Sequence, residues 1–178
     1  MSLARPALTL MVQEQPARLG DAAEFERALS ALCESAPLSA LSVVILELDG
    51  FERLVLRHGP SRAEDCLRQV AVIVQDGLGR VPAQAFRLEG PRFGLLLPST
   101  NASMGQSLAD ALRRRIAAQV TSFDGRMVRL TATTGAASRV QGTRCGAKAM
   151  REAAELALSQ ARASQACHVC VRAPVERA

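Results

Sequence analysis

Apolar positions along this chain follow two rhythms, one close to four residues and one close to two, separated by short polar turns. Phe25, Ala28, Leu29 and Leu32 recur at helical spacing behind Asp21, and Glu24 follows that Asp by three, so a helix opened by a capping box is predicted. The run LSVVILELD, residues 41 to 49, is rich in β-branched residues and predicts a buried strand. FERLVLRHG, residues 51 to 59, predicts a short helix stopped by Gly59. Ser61 and Glu64 read as a second capping box, opening a helix with Leu67, Val70, Ala71 and Val74 on one face.

Further on, RLEGPRFGLLLP (87 to 98) places a charged Gly-Pro turn between two apolar runs, which predicts a hairpin with its tip at residues 89 to 92. Asn101 is placed to cap a helix carrying Met104, Leu108, Leu112 and Ile116 at steps of four. RMVRLTATTG (126 to 135) reads as one strand, AKAMREAAELALSQARA (147 to 163) as a helix and HVCVR (168 to 172) as the last strand. One mainly antiparallel sheet covered by helices satisfies this order, an α+β architecture. It occupies residues 19–172, with residues 1–18 a tail or added strand and 173–178 a C-terminal tail.

Composition narrows the function. The apolar fraction of 48% suits a soluble globular chain, and the longest strongly apolar run is too short to cross a bilayer. No membrane insertion and a cytoplasmic location are expected. The formal charge of +5 comes almost wholly from arginine, with Lys148 the single lysine. There is neither Trp nor Tyr, so base-stacking platforms are scarce and a nucleic acid polymer is not an expected partner. Five cysteines without a secretion signal argue against a disulfide framework. Cys167 and Cys170 have C-x-x-C spacing, but in an alternating strand they point to opposite faces and cannot readily share a metal.

The motif order resembles the GGDEF domain of diguanylate cyclases over about residues 19 to 172. ELDGFERL stands where that family has a strand ending in D-x-D-x-F-K, and Gly59 where it has the glycine of N-D-x-x-G-H. EDCLRQVAVIV is similar to its G-D-x-x-L-x-x-x-A helix, and RLEGPRFGLLLP to R-x-G-G-D/E-E-F-x-x-L-L-P. LTATTGAA resembles V-T-x-S-x-G-x-A, and AELALSQAR resembles A-D-x-A-L-Y-x-A-K. The fold this implies is the palm or nucleotidyl-cyclase type.

The resemblance also implies a site, and this chain departs from it at most positions. In the family a carboxylate on the first strand and one from the hairpin hold divalent metal against the GTP triphosphate. Glu47 matches the strand position and Asp49 a second acidic one, but the hairpin pair is Pro91 and Arg92, neither of which ligates magnesium. Glu89 replaces the first glycine of the motif beside the retained Gly90, and at ~5 Å and a dielectric of about 20 its charge would repel a phosphate by roughly 3 kcal/mol. Val55 replaces the guanine-reading Asn, and Glu64 its Asp partner. The expectation is a vestigial active site with no catalytic residue, bound metal or cofactor.

Two further surfaces follow from the resemblance. The family's product-inhibition motif R-x-x-D is here Arg80 to Ala83, leaving Arg80, Arg87 and Arg162 as candidates for cyclic di-GMP. Val55 and Leu56, apolar where the family has Asn and Asp, join Pro91 as a candidate surface for another protein. The leading reading is an inactive GGDEF-like protein acting as a regulatory interaction module in cyclic di-GMP-related signalling. A cyclic di-GMP or GTP receptor and a divergent diguanylate cyclase remain alternatives, and a homodimer is left open.

Overall fold

The run at 41 to 48 has apolar residues at both parities because both of its faces are covered, and it lies in the middle of the sheet. The structure is a computed structural model and describes residues 19–79, 81–123, 126–164 and 169–174. In chain order the elements are α1 (Ala22–Ser35), β1 (Leu41–Leu48), α2 (Phe51–His58), α3 (Pro60–Leu78), β2 (Gln84–Arg87) and β3 (Arg92–Pro98). Then come α4 (Ala102–Ala118), β4 (Val120–Phe123), β5 (Arg126–Arg129), β6 (Ala132–Arg139), α5 (Ala147–Ala163) and β7 (Val169–Arg172).

Five strands form one sheet in the order β2-β3-β1-β6-β7, antiparallel except for the β6–β7 pair. The alternation along β1 sends Val44, Leu46 and Leu48 into a core under α2, α3 and α4, and Leu41, Val43 and Ile45 into a second core under α1 and α5. Each such fully buried aliphatic side chain contributes about 1.5–3 kcal/mol. Glu47 keeps the parity of the second set, so it emerges on the α5 side of the sheet.

β6 explains how α5 comes so close. All eight of its residues are buried and most are small, and the α5 face against it is built from Ala153, Ala154, Ala157 and Ala161. A Cβ on Gly135 would lie 2.1 Å from the Leu158 amide nitrogen and 2.4 Å from the Ala154 carbonyl oxygen. Only glycine admits the helix backbone at that distance.

The predicted caps at Asp21 and Asn101 are present: Asp21 and Glu24 close a reciprocal capping box, and the Met104 amide donates to Asn101 Oδ1 at 2.9 Å. Three expectations are corrected. The Ser61 capping box does not form, because α3 begins two residues earlier, at Pro60 rather than Arg62, behind Gly59 with φ of +83°. Proline at the first helical position lacks an amide that would need a cap, so Ser61 lies inside the first turn and Glu64 just beyond it. The 126 to 135 stretch is two strands, β5 pairing with β4 in a separate ribbon before the chain enters β6. Met104 is exposed, and Gly105, Ala109, Leu112 and Ile116 form the buried stripe of α4. Residues 1–18 and Cys167 lie outside the described residues.

Candidate functional site

The end of β1, the β2–β3 turn and the C-terminal half of α5 meet at one edge of the sheet. Register fixes the first contact: Glu47 on β1 is directly opposite Arg92, the first residue of β3. The turn is therefore residues 88 to 91, one residue earlier than expected, and Gly90 takes φ of +66° at its tip. The Leu48 amide donates to the Pro91 carbonyl at 3.0 Å, which pins the turn to the strand end.

Around Glu47 the charges close on themselves. Arg92 Nε lies 3.2 Å from Glu47 Oε2, and Arg162 Nη1 lies 3.3 Å from Glu47 Oε1. Arg92 Nη1 also donates to both oxygens of Glu155, at 3.1 and 3.2 Å. Glu155 and Arg162 are seven residues apart on α5, two turns along one face, so one helix supplies both outer members of the network. The Glu47 side chain is only 15% exposed, so its ion pairs are less screened than surface ones. A cleft of about 640 Å³ opens over this network, with Phe51, Glu89, Gly90 and Pro91 also on its wall.

Asp49 turns the other way. Its Oδ1 accepts from Thr133 Oγ1 at 2.8 Å and its amide donates to the Thr131 carbonyl, so β6 and the connection before it hold it. It lines a second cleft, between α2 and the β5 strand, rather than the one beside Glu89. Among the described residues no group of three or more His, Cys, Asp or Glu side chains is gathered as a metal would require.

The family model for "Diguanylate cyclase, GGDEF domain" matches residues 17–167. The chain belongs to the GGDEF family. Diguanylate cyclase A of Treponema denticola is 26% identical over 98 residues, which are 55% of this chain. The chain spans about a quarter of that curated relative's length, 26%. The GGDEF domain of DgcB from Caulobacter crescentus, solved in complex with c-di-GMP, is similar with a TM-score of 0.80 at 19% identity, over 96% of this chain and 98% of that one. The FimX GGDEF domain from Pseudomonas aeruginosa is similar with a TM-score of 0.78 at 19% identity, over 90% and 98%.

In this GGDEF domain the structure separates several residues that the sequence had grouped. Arg87 serves the hairpin itself: its Nη1 donates to the carbonyls of Leu88 at 3.0 Å, Arg92 at 3.2 Å and Gly90, and its guanidinium sits 5.2 Å from the Phe93 ring centroid. Burial lowers the Arg87 pKa from its ordinary value, and Glu64 on α3 opposes that shift. Arg162 is committed to Glu47 on the other face, and Arg80 lies outside the described residues. Arg87 and Arg162 do not form one cluster of open guanidinium groups.

The apolar trio is also split. Val55 packs against the core that Leu54 enters, Leu56 is 85% exposed, and neither lines the cleft that Pro91 lines. Sequence reasoning missed Glu155. Its signal was the seven-residue spacing from Arg162 on a predicted helix, which puts acid and base on one face.

Proposed function

We propose that this GGDEF domain is catalytically inactive and acts by contact with another protein in cyclic di-GMP-related signalling. The observation that supports it is the clamp at Glu47. The resemblance places a metal-binding carboxylate at Glu47 and another in the hairpin pair, where Pro91 and Arg92 stand. Here both Glu47 oxygens face guanidinium groups, and neither Pro91 nor Arg92 offers a second carboxylate. A hard divalent cation requires oxygen ligands, and it would have to displace two cations to reach Glu47. The residues present do not fit the metal.

Substrate reading fails at the same place. Val55 is turned to the core and offers no hydrogen bond to a base, while Glu89 on the cleft wall carries charge toward any incoming triphosphate. The exposed Leu56 and the Pro91 turn are surfaces a partner could cover, although they belong to separate patches. The test is synthesis of cyclic di-GMP from GTP with magnesium or manganese. No product is expected from the parent, nor from the triple variant Glu89→Gly/Pro91→Asp/Arg92→Glu. Turnover by the parent that Glu47→Ala abolishes would overturn the reading.

A further inference from the structure

The second cleft, on the other side of α2, has about 850 Å³ of space and an opposite electrostatic character. Arg53 and Arg57 are four residues apart on α2 and share a face, and Arg129 reaches the same cleft from β5. Elsewhere most described arginines are committed. Asp110 holds Arg113 and Arg114, Asp65 holds Arg68, Glu26 holds Arg151, and Arg139 donates to three backbone carbonyls. The side chains of Arg53, Arg57 and Arg129 have no ion pair or hydrogen bond among the described residues. Among the described residues, Asp49 is the one carboxylate on the wall, and it accepts from Thr133 and pairs with none of them. His58 lines the same cleft at the end of α2.

Three uncompensated guanidinium groups around one concavity focus a positive field into it. Their forked donors suit phosphoryl oxygens, which they can grip in pairs. A di- or triphosphate packs several negative charges within a few ångströms, matching three arginines across a single cleft. An extended acidic peptide spaces its residues by about 3.3 Å and alternates their sides, so it would leave one rim unengaged. The volume lies in the range of small-molecule sites, about 300–1,000 Å³.

We propose that the α2–β5 cleft is a binding site for the polyphosphate group of a small molecule, held by Arg57 and Arg129 with Arg53 at its edge. This site adjoins the Glu47 cleft, sharing Leu48, Gly50, Phe51 and Arg53 with it, while Arg57 and Arg129 line only the α2–β5 side; its occupation requires neither catalysis nor divalent metal.

Calorimetry with the full chain, EDTA present, tests it with inorganic tripolyphosphate and with GTP as probes. Binding of tripolyphosphate is expected, weakening as salt rises. Arg57→Gln/Arg129→Gln should weaken it at least tenfold, while Arg113→Gln on the outer face of α4 should leave it unchanged. Tighter binding of GTP than of tripolyphosphate would identify a nucleotide as the source of the phosphates, and equal binding a free polyphosphate; both support the site. Amide shifts in the parent should move in α2 and β5, a readout independent of how the variants fold. No heat with either probe, equal affinity in the double variant, shifts confined to residues 88 to 92, or preference for a hexaglutamate peptide would each overturn the proposal.

Discussion

Two clefts flank α2, and they differ in how their charges are spent. On the hairpin side, Arg92 and Arg162 are neutralised by Glu47 and Glu155, so little field reaches an incoming ligand. On the ribbon side, Arg57 and Arg129, with Arg53 bordering both clefts, face one described carboxylate, Asp49, which is bound to Thr133. The lesson is that arginine count says little about anion binding, whereas the pairing of each guanidinium says much. Both clefts hang from the same strand end, so substitutions that disturb one and spare the other separate their roles.

The largest effect is expected from Gly135→Ala. The new methyl would meet the α5 backbone at Leu158 and Ala154, atoms that no rotamer change can move aside. Overpacking of this kind costs about 3 kcal/mol. Shifting α5 also carries Arg162 and Glu155 away from Glu47, while α2 and β5 stay in place. Chemical denaturation should show the loss, and the variant under native conditions should still bind tripolyphosphate. A stability equal to the parent would mean that α5 does not seat on β6 as described.

Next in size is Arg92→Glu. It removes the cation shared by Glu47 and Glu155 and adds a third carboxylate between them. Breaking a partly buried pair this way should cost about 2 kcal/mol, which for a chain of this length lowers Tm by roughly 4–8 °C. Manganese should recover part of that loss in the variant and do nothing for the parent, by stabilising the form that binds it. A variant as stable as the parent would show that the clamp is only a surface ornament.

Glu47→Gln tests the comparison from the opposite side. The amide keeps the shape but leaves Arg162 uncompensated and Arg92 with Glu155 alone. The stability cost should be near 1 kcal/mol, and the hairpin cleft should begin to behave as the ribbon cleft does. A second, weaker tripolyphosphate site in calorimetry is the expected result. Unchanged stoichiometry would show that compensation is not what silences the first cleft.

How much of this was legible in the sequence depends on the range of the interaction. Caps at Asp21 and Asn101 are local, involving residues three apart, and they formed as read. The buried β1 run could be placed at the centre because its apolar residues occupy both parities. Ser61 misled because a side-chain signal competed with a backbone one: Pro60 needs no cap, and Gly59 supplies the reversal. The β4–β5 ribbon was hidden because four-residue strands carry too little alternation to register. Glu47 and Arg92 were each singled out, but their ion pair depends on strand register. The motif named the position of Arg87 without showing that its donors turn inward to the hairpin carbonyls.

The smallest effect concerns the cores that the two clefts share. Cys66 lies in the core beneath α3 and Cys33 in the one beneath α1, and burial raises both thiols from the ordinary 9.0, Cys33 despite the opposing Arg139 charge. The folded protein thus holds these protons more tightly than the unfolded chain does. The stability this contributes is fully present below pH 9 and is lost as pH rises through the folded values, where the unfolded state gains by ionising. Few other groups compete in that window, because the chain has no tyrosine and a single lysine, Lys148. Thermal midpoints should therefore be flat from pH 7 to 8 and decline by a few degrees toward pH 10. Cys33→Ala and Cys66→Ala each lower the midpoint everywhere through lost packing, so the informative quantity is the slope against pH, which should flatten in each and most in the double variant. An undiminished slope in the double variant would rule out these two thiols as the source of the alkaline loss.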